Sequence, residues 1–350
     1  LPVQRFDHVQ PGGAENVGEV PVKRLPCFLW EAPSKSPAES EFRFRFAPPV
    51  EGVYAARIAV VTAAGQIRSE SLAFRAGPPA SAGSVKVRSG ERLLRRDDGS
   101  LFVPFFVAPP SAADFEAWLQ AFVFAGRNYA SAARIFFPID PEKAGVIDPD
   151  KAEELDAIFR AAQARDVFLL VSLEQGRRLA GEASKSHPYF REMGGPLAAT
   201  PEFFRDIAAK RYFQNRLTYI AARYGAYRSV LSWDLLESVD ECWAILKQSP
   251  EDATLTPNEA DLCRRARRDV QTWAEEAALH LRGMDQHEHL IGVSTSLNPD
   301  KAWTDLEQQP NLDWTISRQP SSGAAEIGFI DPAAQFCSWS AAARQPGRAH

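Results

Sequence analysis

Methionine and cysteine are scarce in this chain, two and four residues among 350. The cysteines, Cys27, Cys242, Cys263 and Cys337, stand far apart in no CxxC or histidine-paired spacing, which argues against a metal centre and against a disulfide framework. Free thiols, mostly buried, are the expectation. Sustained runs of Lys or Arg are missing too. Nucleic-acid phosphates demand clustered cations, and a chain of net charge −5 offers only Arg264-Arg265-Ala266-Arg267-Arg268, which suits a solvated helix face. No apolar stretch approaches the roughly 20 residues that span a bilayer. The N-terminus also lacks the charged-then-apolar pattern of a signal peptide. The expected partners therefore include neither nucleic acid nor membrane, and a soluble protein is expected. Because the chain opens at Leu1 with no Met, a processed or trimmed form is expected.

What is present, 45% hydrophobic and 24% charged residues, is the composition of an ordinary globular protein with room for one large and one small domain. From about Val20 to Phe74 the pattern is β. Glu41-Phe-Arg-Phe-Arg-Phe46 alternates with period two, Pro48-Pro-Val-Glu-Gly52 turns the chain, and Val53–Val61 supplies a further strand. Short strands with frequent turns predict an immunoglobulin-like sandwich over residues 1–83. Gly77-Pro-Pro-Ala-Ser-Ala-Gly83 then makes a linker.

Beyond the linker, Ser84–Arg95 and Leu101–Val107 flank Asp97-Asp98-Gly99-Ser100, a hairpin signal. Strands and helices then alternate, the mark of a parallel α/β architecture. Expected strands are Phe102–Val107, Asn128–Phe137, Asp166–Leu173, an apolar run within Arg228–Asp240, His289–Leu297 and Leu312–Ser317. Between them, Ser111 starts a helix that breaks at Gly126, Asp148-Pro149 caps a second, and Thr200-Pro201-Glu202 opens a long one reaching Tyr227. Thr256-Pro257-Asn258-Glu259 is a full capping box for the next, and Asp331-Pro332 opens a last helix to about Arg344. That makes about six βα units where a (β/α)8 TIM-type barrel needs eight. The expectation is a barrel over residues 84–350, truncated after its sixth unit.

In such barrels the catalytic groups sit at the carboxyl ends of the strands. Glu237 follows Ser-Trp-Asp-Leu-Leu at one such end. Walled by Trp233 and Leu235–Leu236, its carboxyl is expected to be desolvated enough to keep a proton for general acid catalysis; a salt bridge to a neighbouring loop is the alternative. Arg134, placed at the end of the second strand, is suited to hold a carboxylate ionised, or to a structural ion pair. Aromatic rings stack on the apolar faces of sugars, and Tyr189, Phe190, Trp243, Trp303 and Trp314 fall in or near expected loops.

Four features together resemble a cellulase-like retaining glycoside hydrolase, of clan A and family 5 type, preceded by an immunoglobulin-like module. They are Phe44-Arg-Phe-Ala-Pro-Pro-Val-Glu-Gly-Val-Tyr54, the Asp-Gly hairpin, Ala125-Gly-Arg-Asn-Tyr129 with Arg134, and Tyr224-Gly-Ala-Tyr-Arg-Ser-Val-Leu-Ser-Trp-Asp-Leu-Leu-Glu237. The resemblance covers about residues 20–345. It implies Glu237 as the catalytic acid/base, Arg134, Trp233 and Trp314 as saccharide-binding residues, a β-linked poly- or oligosaccharide substrate, no cofactor or metal, and an extracytoplasmic location. The chain departs from the family in three places. Leu236 stands where the family has Asn. Asp313-Trp-Thr-Ile-Ser-Arg318 lacks the usual His or Tyr. The strand that should end in the nucleophile is missing, and Glu326 is the nearest substitute. Retaining hydrolysis needs two carboxyl groups about 5–5.5 Å apart, so a non-catalytic carbohydrate- or protein-binding relative is the competing expectation.

Overall fold

The computed structural model describes residues 5–9, 22–30, 41–48, 50–62, 65–68, 71–78, 81–87, 93–104, 106–107, 115–123, 132–136, 138–296, 306 and 309–317. The N-terminal strands are β1 (Arg5–Val9), β2 (Val22–Pro26), β3 (Phe28–Trp30), β4 (Glu41–Arg43), β5 (Gly52–Thr62), β6 (Gly65–Arg68) and β7 (Leu72–Ala76). All pair antiparallel. β2, β1 and β5 form one sheet, with β6 and β7 along opposite ends of the long β5, while β3 pairs with β4. Phe44, Phe46 and Phe74 pack on buried Leu25 and Ala56, and the Tyr54 and Phe74 rings stack at 5.7 Å.

The alternating run Glu41–Phe46 pairs only as far as Arg43. Its second half leaves the sheet, and Arg45 there is taken by Asp156 and Arg223. The Arg45 guanidinium forks onto Asp156 and donates to the Arg223 carbonyl at 2.8 Å. Arg45 and Arg223 also flank the Phe28 ring, at 5.6 and 5.4 Å from its centroid. Gln286 fastens the backbone beside this cluster, accepting from Ala47 N and donating to Arg45 O. Asp156 and Arg223 are each 1% exposed, so this is a buried ion cluster and not a rim contact.

Three short strands, β8 (Val85–Val87), β9 (Leu94–Arg96) and β10 (Leu101–Phe102), make an antiparallel sheet. The Asp-Gly turn joins β9 to β10 as expected, with Gly99 at φ +89 and Asp98 Oδ1 accepting from Ser100 N and Oγ; glycine tolerates that left-handed backbone without steric cost. The expected strand Ser84–Arg95 is thus two strands, and Leu101–Val107 is also divided.

Among the described residues six further strands pair parallel, β11 (Phe106–Val107), β12 (Ala132–Phe136), β13 (Phe168–Ser172), β14 (Val230–Asp234), β15 (Leu290–Thr295) and β16 (Trp314–Ser317), adjacent in chain order. Sequential parallel strands with helical crossovers are the arrangement of a TIM-type α/β barrel wall. The described helices are α1 (Phe115–Val123), α2 (Pro149–Ala164), α3 (Ile207–Tyr224) and α4 (Pro257–Arg282). Asp148 caps α2 and the Thr256–Glu259 box caps α4, both as expected. α4 buries Cys263, Ala266, Val270, Trp273, Ala277 and Leu281 along one stripe, while Arg264, Arg265 and Arg268 are exposed.

The long helix expected from Pro201 is interrupted. Thr200–Phe204 is a single 3-10 turn, and α3 begins only after Asp206, whose side chain accepts from Ala209 N at 2.8 Å. Proline suits the first position of either helix type, so the downstream carboxylate cap decides where the α-helix starts. Expectations resting on Ser111, Gly126, Trp303, Glu326, Asp331, Cys337 and the absence of a seventh strand lie outside the described residues. Cys27 is a half-buried free thiol, and Cys242 and Cys263 are buried ones.

Alternation along the strands separates two cores. Ala133, Leu169, Val171, Trp233, Ile291 and Val293 join the helices. Ala132, Phe168, Leu170, Leu231, Leu290 and Trp314 join Val85, Leu94 and Phe102 of the small sheet. A register shift at Leu169/Leu170 inserts Leu231 into this second core. Gly292 makes room for the Trp314 indole, whose ring carbons lie 2.4 Å from where a Cβ would sit.

Candidate functional site

The polar members of the same strands gather toward their carboxyl ends. Arg134 is the third of five residues in β12, not its last, and only 12% of its side chain is exposed. Its guanidinium pairs with Asp234, donates to Ser294 Oγ at 2.8 Å and Ser172 Oγ at 3.3 Å, and lies 3.7 Å from Glu237 Oε1. Asp234, the last residue of β14, is fully buried and also accepts from Ser294 N and Oγ. Burial pushes its carboxyl up to about 6, against the opposing pull of Arg134 and Ser294 and with Glu237 adding to the rise. A desolvated carboxylate costs free energy even when paired, so one guanidinium does not restore Asp234 to the ordinary range.

Glu237 lies three residues beyond β14. It extends the parallel pairing through a bridge to Gln175 past the end of β13. Glu237 N donates to Glu174 O, Gly176 N donates to Glu237 O, and Gln175 Nε2 donates to Glu237 Oε2 at 2.8 Å. Gly176 permits this contact, because a Cβ there would fall 2.1 Å from Ser238 O. On the other side of the bridge Ser238 turns through a left-handed backbone, φ +54. Its N–H is donated to Ser294 Oγ at 3.2 Å, while fully buried Asp240 accepts from Ser296. The loops after β13, β14 and β15 are therefore fastened together at the barrel mouth.

A second charged network lies beneath the first loop. Fully buried Glu174 accepts from Gln175 N and Arg178 through one oxygen and from Arg216 and His187 through the other. Burial would raise its carboxyl, but the His187, Arg216 and Arg178 donors hold it well below the usual carboxylate range. Arg216 reaches on to Asp140 at 2.6 Å. His187 Nδ1 accepts from Tyr189 N, which leaves Nε2 to donate to Glu174. This network keeps the backbone of Glu174 and Gln175 in place under Glu237.

Two expectations for the site change. Trp233, Leu235 and Leu236, foreseen as an apolar wall around Glu237, are fully buried in the helix-side core; the groups placed against the 6% exposed Glu237 include polar Arg134 and Gln175. Of the aromatic residues expected at a saccharide, four of those described are buried. Trp233 is 0% and Trp314 2% exposed, the latter donating its indole N–H to Ser232 Oγ at 2.6 Å. Tyr189 and Phe190 are buried as well, and Trp243 packs partly buried against the main core. Arg134 and Glu237 do meet, as does Asp234. Gln175, Glu174 and Ser294 escaped the reading of the sequence. Ser232 and Asp234, two polar residues spaced by two in a buried strand, were the legible sign of a polar barrel interior.

No protein-family model matches the chain, and no curated protein matches it. Among solved structures it is similar to a candidate glycoside hydrolase from Bacteroides vulgatus, at 15% identity and a TM-score of 0.56, over 89% of this chain and 54% of that one. The chain thus spans about half the length of that structure. It is also similar to a β-mannanase from the blue mussel Mytilus edulis (14% identity, 61% of this chain and 64% of that one, TM-score 0.42) and to an endo-β-1,4-mannanase from Thermotoga petrophila (15%, 61% and 51%, 0.44). The first of these likenesses shows the fold that the chain shares.

Proposed function

We propose that the chain is a saccharide-acting protein of glycoside hydrolase type, an immunoglobulin-like module over residues 1–83 fastened to a (β/α)8-type barrel over 84–350. The barrel mouth takes a β-linked poly- or oligosaccharide at Glu237. The observation that carries this reading is the convergence of Glu237 and Gln175, just past the carboxyl ends of β14 and β13, with Arg134 of β12, the end from which such barrels act. The shared fold with a candidate glycoside hydrolase supports it.

Glu237 is the acid/base of this reading and Arg134 the cation that orients it. In a retaining cycle the residue donates a proton to the departing oxygen and later accepts one from water. The amide of Gln175 donates to Glu237 Oε2 at 2.8 Å and the guanidinium of Arg134 lies 3.7 Å from Oε1, contacts that fix the carboxyl in position for both steps. Asp234 is not the partner nucleophile, because it is fully buried and occupied by Arg134 and Ser294. Release of reducing sugar from a panel of β-mannans and β-glucans is expected to fall at least ~100-fold in Glu237→Gln. Turnover unchanged in that variant would remove Glu237 from the chemistry.

A second reading, a non-catalytic saccharide-binding relative, is favoured by one observation. Leu236, in the place where the family hydrogen-bonds the sugar, is fully buried in the core. Titration calorimetry showing glycan binding without hydrolysis selects this reading, and binding of no glycan removes both.

A further inference from the structure

Four arginines are set around Glu237 and the loop that holds it, and three of them have carboxylate partners. Arg134 faces Asp234 and Glu237, Arg178 lies 3.0 Å from Glu174, and Arg216 bridges Asp140 and Glu174. Arg177 is different. It is exposed, has no carboxylate partner among the described residues, and spends one N–H on Gln175 Oε1 at 3.3 Å. The same Gln175 amide donates to Glu237 Oε2 at 2.8 Å, so a single side-chain amide links the Arg177 guanidinium to the Glu237 carboxylate.

Arg177 does not sit on a loose loop. It follows Gly176, whose N–H is held by Glu237 O at 2.7 Å and whose Cα packs against Ser238 O. Its backbone is therefore fixed relative to Glu237. A guanidinium carries five donors in a rigid fork and no acceptor. Most of that fork is left after the bond to Gln175, in a geometry suited to two parallel bonds with a carboxylate. The chain as a whole is acidic, net −5, so an unpaired cation here is not one of a general basic surface. A neutral sugar leaves it in water; an acidic sugar pairs with it.

Building on the saccharide reading above, we infer that the ligand of this mouth carries a carboxylate, as a uronic acid residue does, and that Arg177 is the residue that selects it. The test is calorimetric titration with a β-linked oligosaccharide containing glucuronate and with its neutral counterpart of equal length. Wild type, Arg177→Gln, Arg177→Lys and Glu237→Gln are compared, with Arg264→Gln on the far face of α4 as a control for folding and charge. Wild type is expected to prefer the acidic sugar by about 10-fold, the worth of one good charge-assisted contact. That preference should shrink as salt rises from about 0.05 to 0.5 M, vanish in Arg177→Gln, and return in part in Arg177→Lys, which keeps the charge without the fork. Equal affinity for both sugars in wild type, or a preference that survives in Arg177→Gln, overturns the inference. Saccharide binding that is lost in Glu237→Gln yet shows no acidic preference leaves the proposed function standing and removes only the role of Arg177. Binding of neither sugar removes both.

Discussion

Two buried aspartates, each held by arginine, illustrate how differently one fold treats the same pair of residue types. Asp156 on α2 fastens the N-terminal module to the barrel and faces two guanidiniums, Arg45 and Arg223. Burial alone would raise its carboxyl, but the two arginines hold it below the ordinary value. Asp234 in the barrel interior faces one guanidinium, which Glu237 shares, and burial pushes it up to about 6. The first cluster has enough positive charge to be structural. The second is short of it, so burial prevails over the one guanidinium and Asp234 stays above the ordinary carboxylate range.

The largest effect expected from this comparison is on the first cluster. Asp156→Ala takes the shared carboxylate from buried Arg223, which among carboxylates keeps only Glu153 at 3.0 Å, and from partly buried Arg45, and is expected to cost about 3 kcal/mol, measured by urea unfolding at neutral pH. A loss under about 1 kcal/mol would show that the cluster is solvated and that the contrast with Asp234 is false. The contribution of Asp156, a carboxyl lowered on folding, is present in full above the unfolded value near pH 4 and is lost as pH falls through its folded value.

Asp234 carries the opposite sign. Its folded carboxyl binds a proton near pH 6 while the unfolded one waits until about pH 4. The folded state therefore gains stability relative to the unfolded as pH falls from about 7.5 to 5, by about 1 kcal/mol. The quantity to measure is the difference between wild type and Asp234→Asn over that range. His287, whose imidazole is pushed down to about 3 by burial and by His289, contributes the reverse slope to both proteins and cancels. A difference that does not vary with pH would place Asp234 in the same class as Asp156.

The smallest effect is reserved for Ser294→Ala. It removes the hydroxyl that Arg134 and Asp234 share, at 2.8 Å from each, and is expected to cost about 1 kcal/mol. It should also raise the Asp234 carboxyl further, because a donor to the charged form is lost. Carboxyl resonances in 13C spectra titrated over pH would report that rise, and an unchanged midpoint would remove Ser294 from the balance.

Much of the barrel was legible. Phe168–Val171, Val230–Trp233 and Leu290–Val293 are buried runs long enough for strands and too short for helices, and the Thr256–Glu259 box caps its helix by local chemistry alone. Less was legible of the site. Trp233 and Trp314 are large aromatics near strand ends, but which face of a strand enters which core depends on pairing register. A register shift opposite Leu169/Leu170 resets that register within β14. Gln175 could not be matched to Glu237 from sequence, because the two are 62 positions apart and meet only where β13 and β14 run side by side.

By itself the sequence determined the succession of strands and helices, the caps of α2 and α4, the hairpin at Gly99 and the presence of an arginine in one strand and an acid just past another of the same sheet. Each of these follows from residues within a few positions of one another, whose preferences act before any distant contact forms. Tertiary structure alone decided that Arg45 leaves its strand to meet Asp156, that Trp233 and Trp314 serve the cores, that Glu237 is held by Gln175 beside Arg134, and that Arg177 has no carboxylate partner among the described residues. Those outcomes depend on which polar groups are buried together and how many charges they share, and desolvation acts only on the assembled fold.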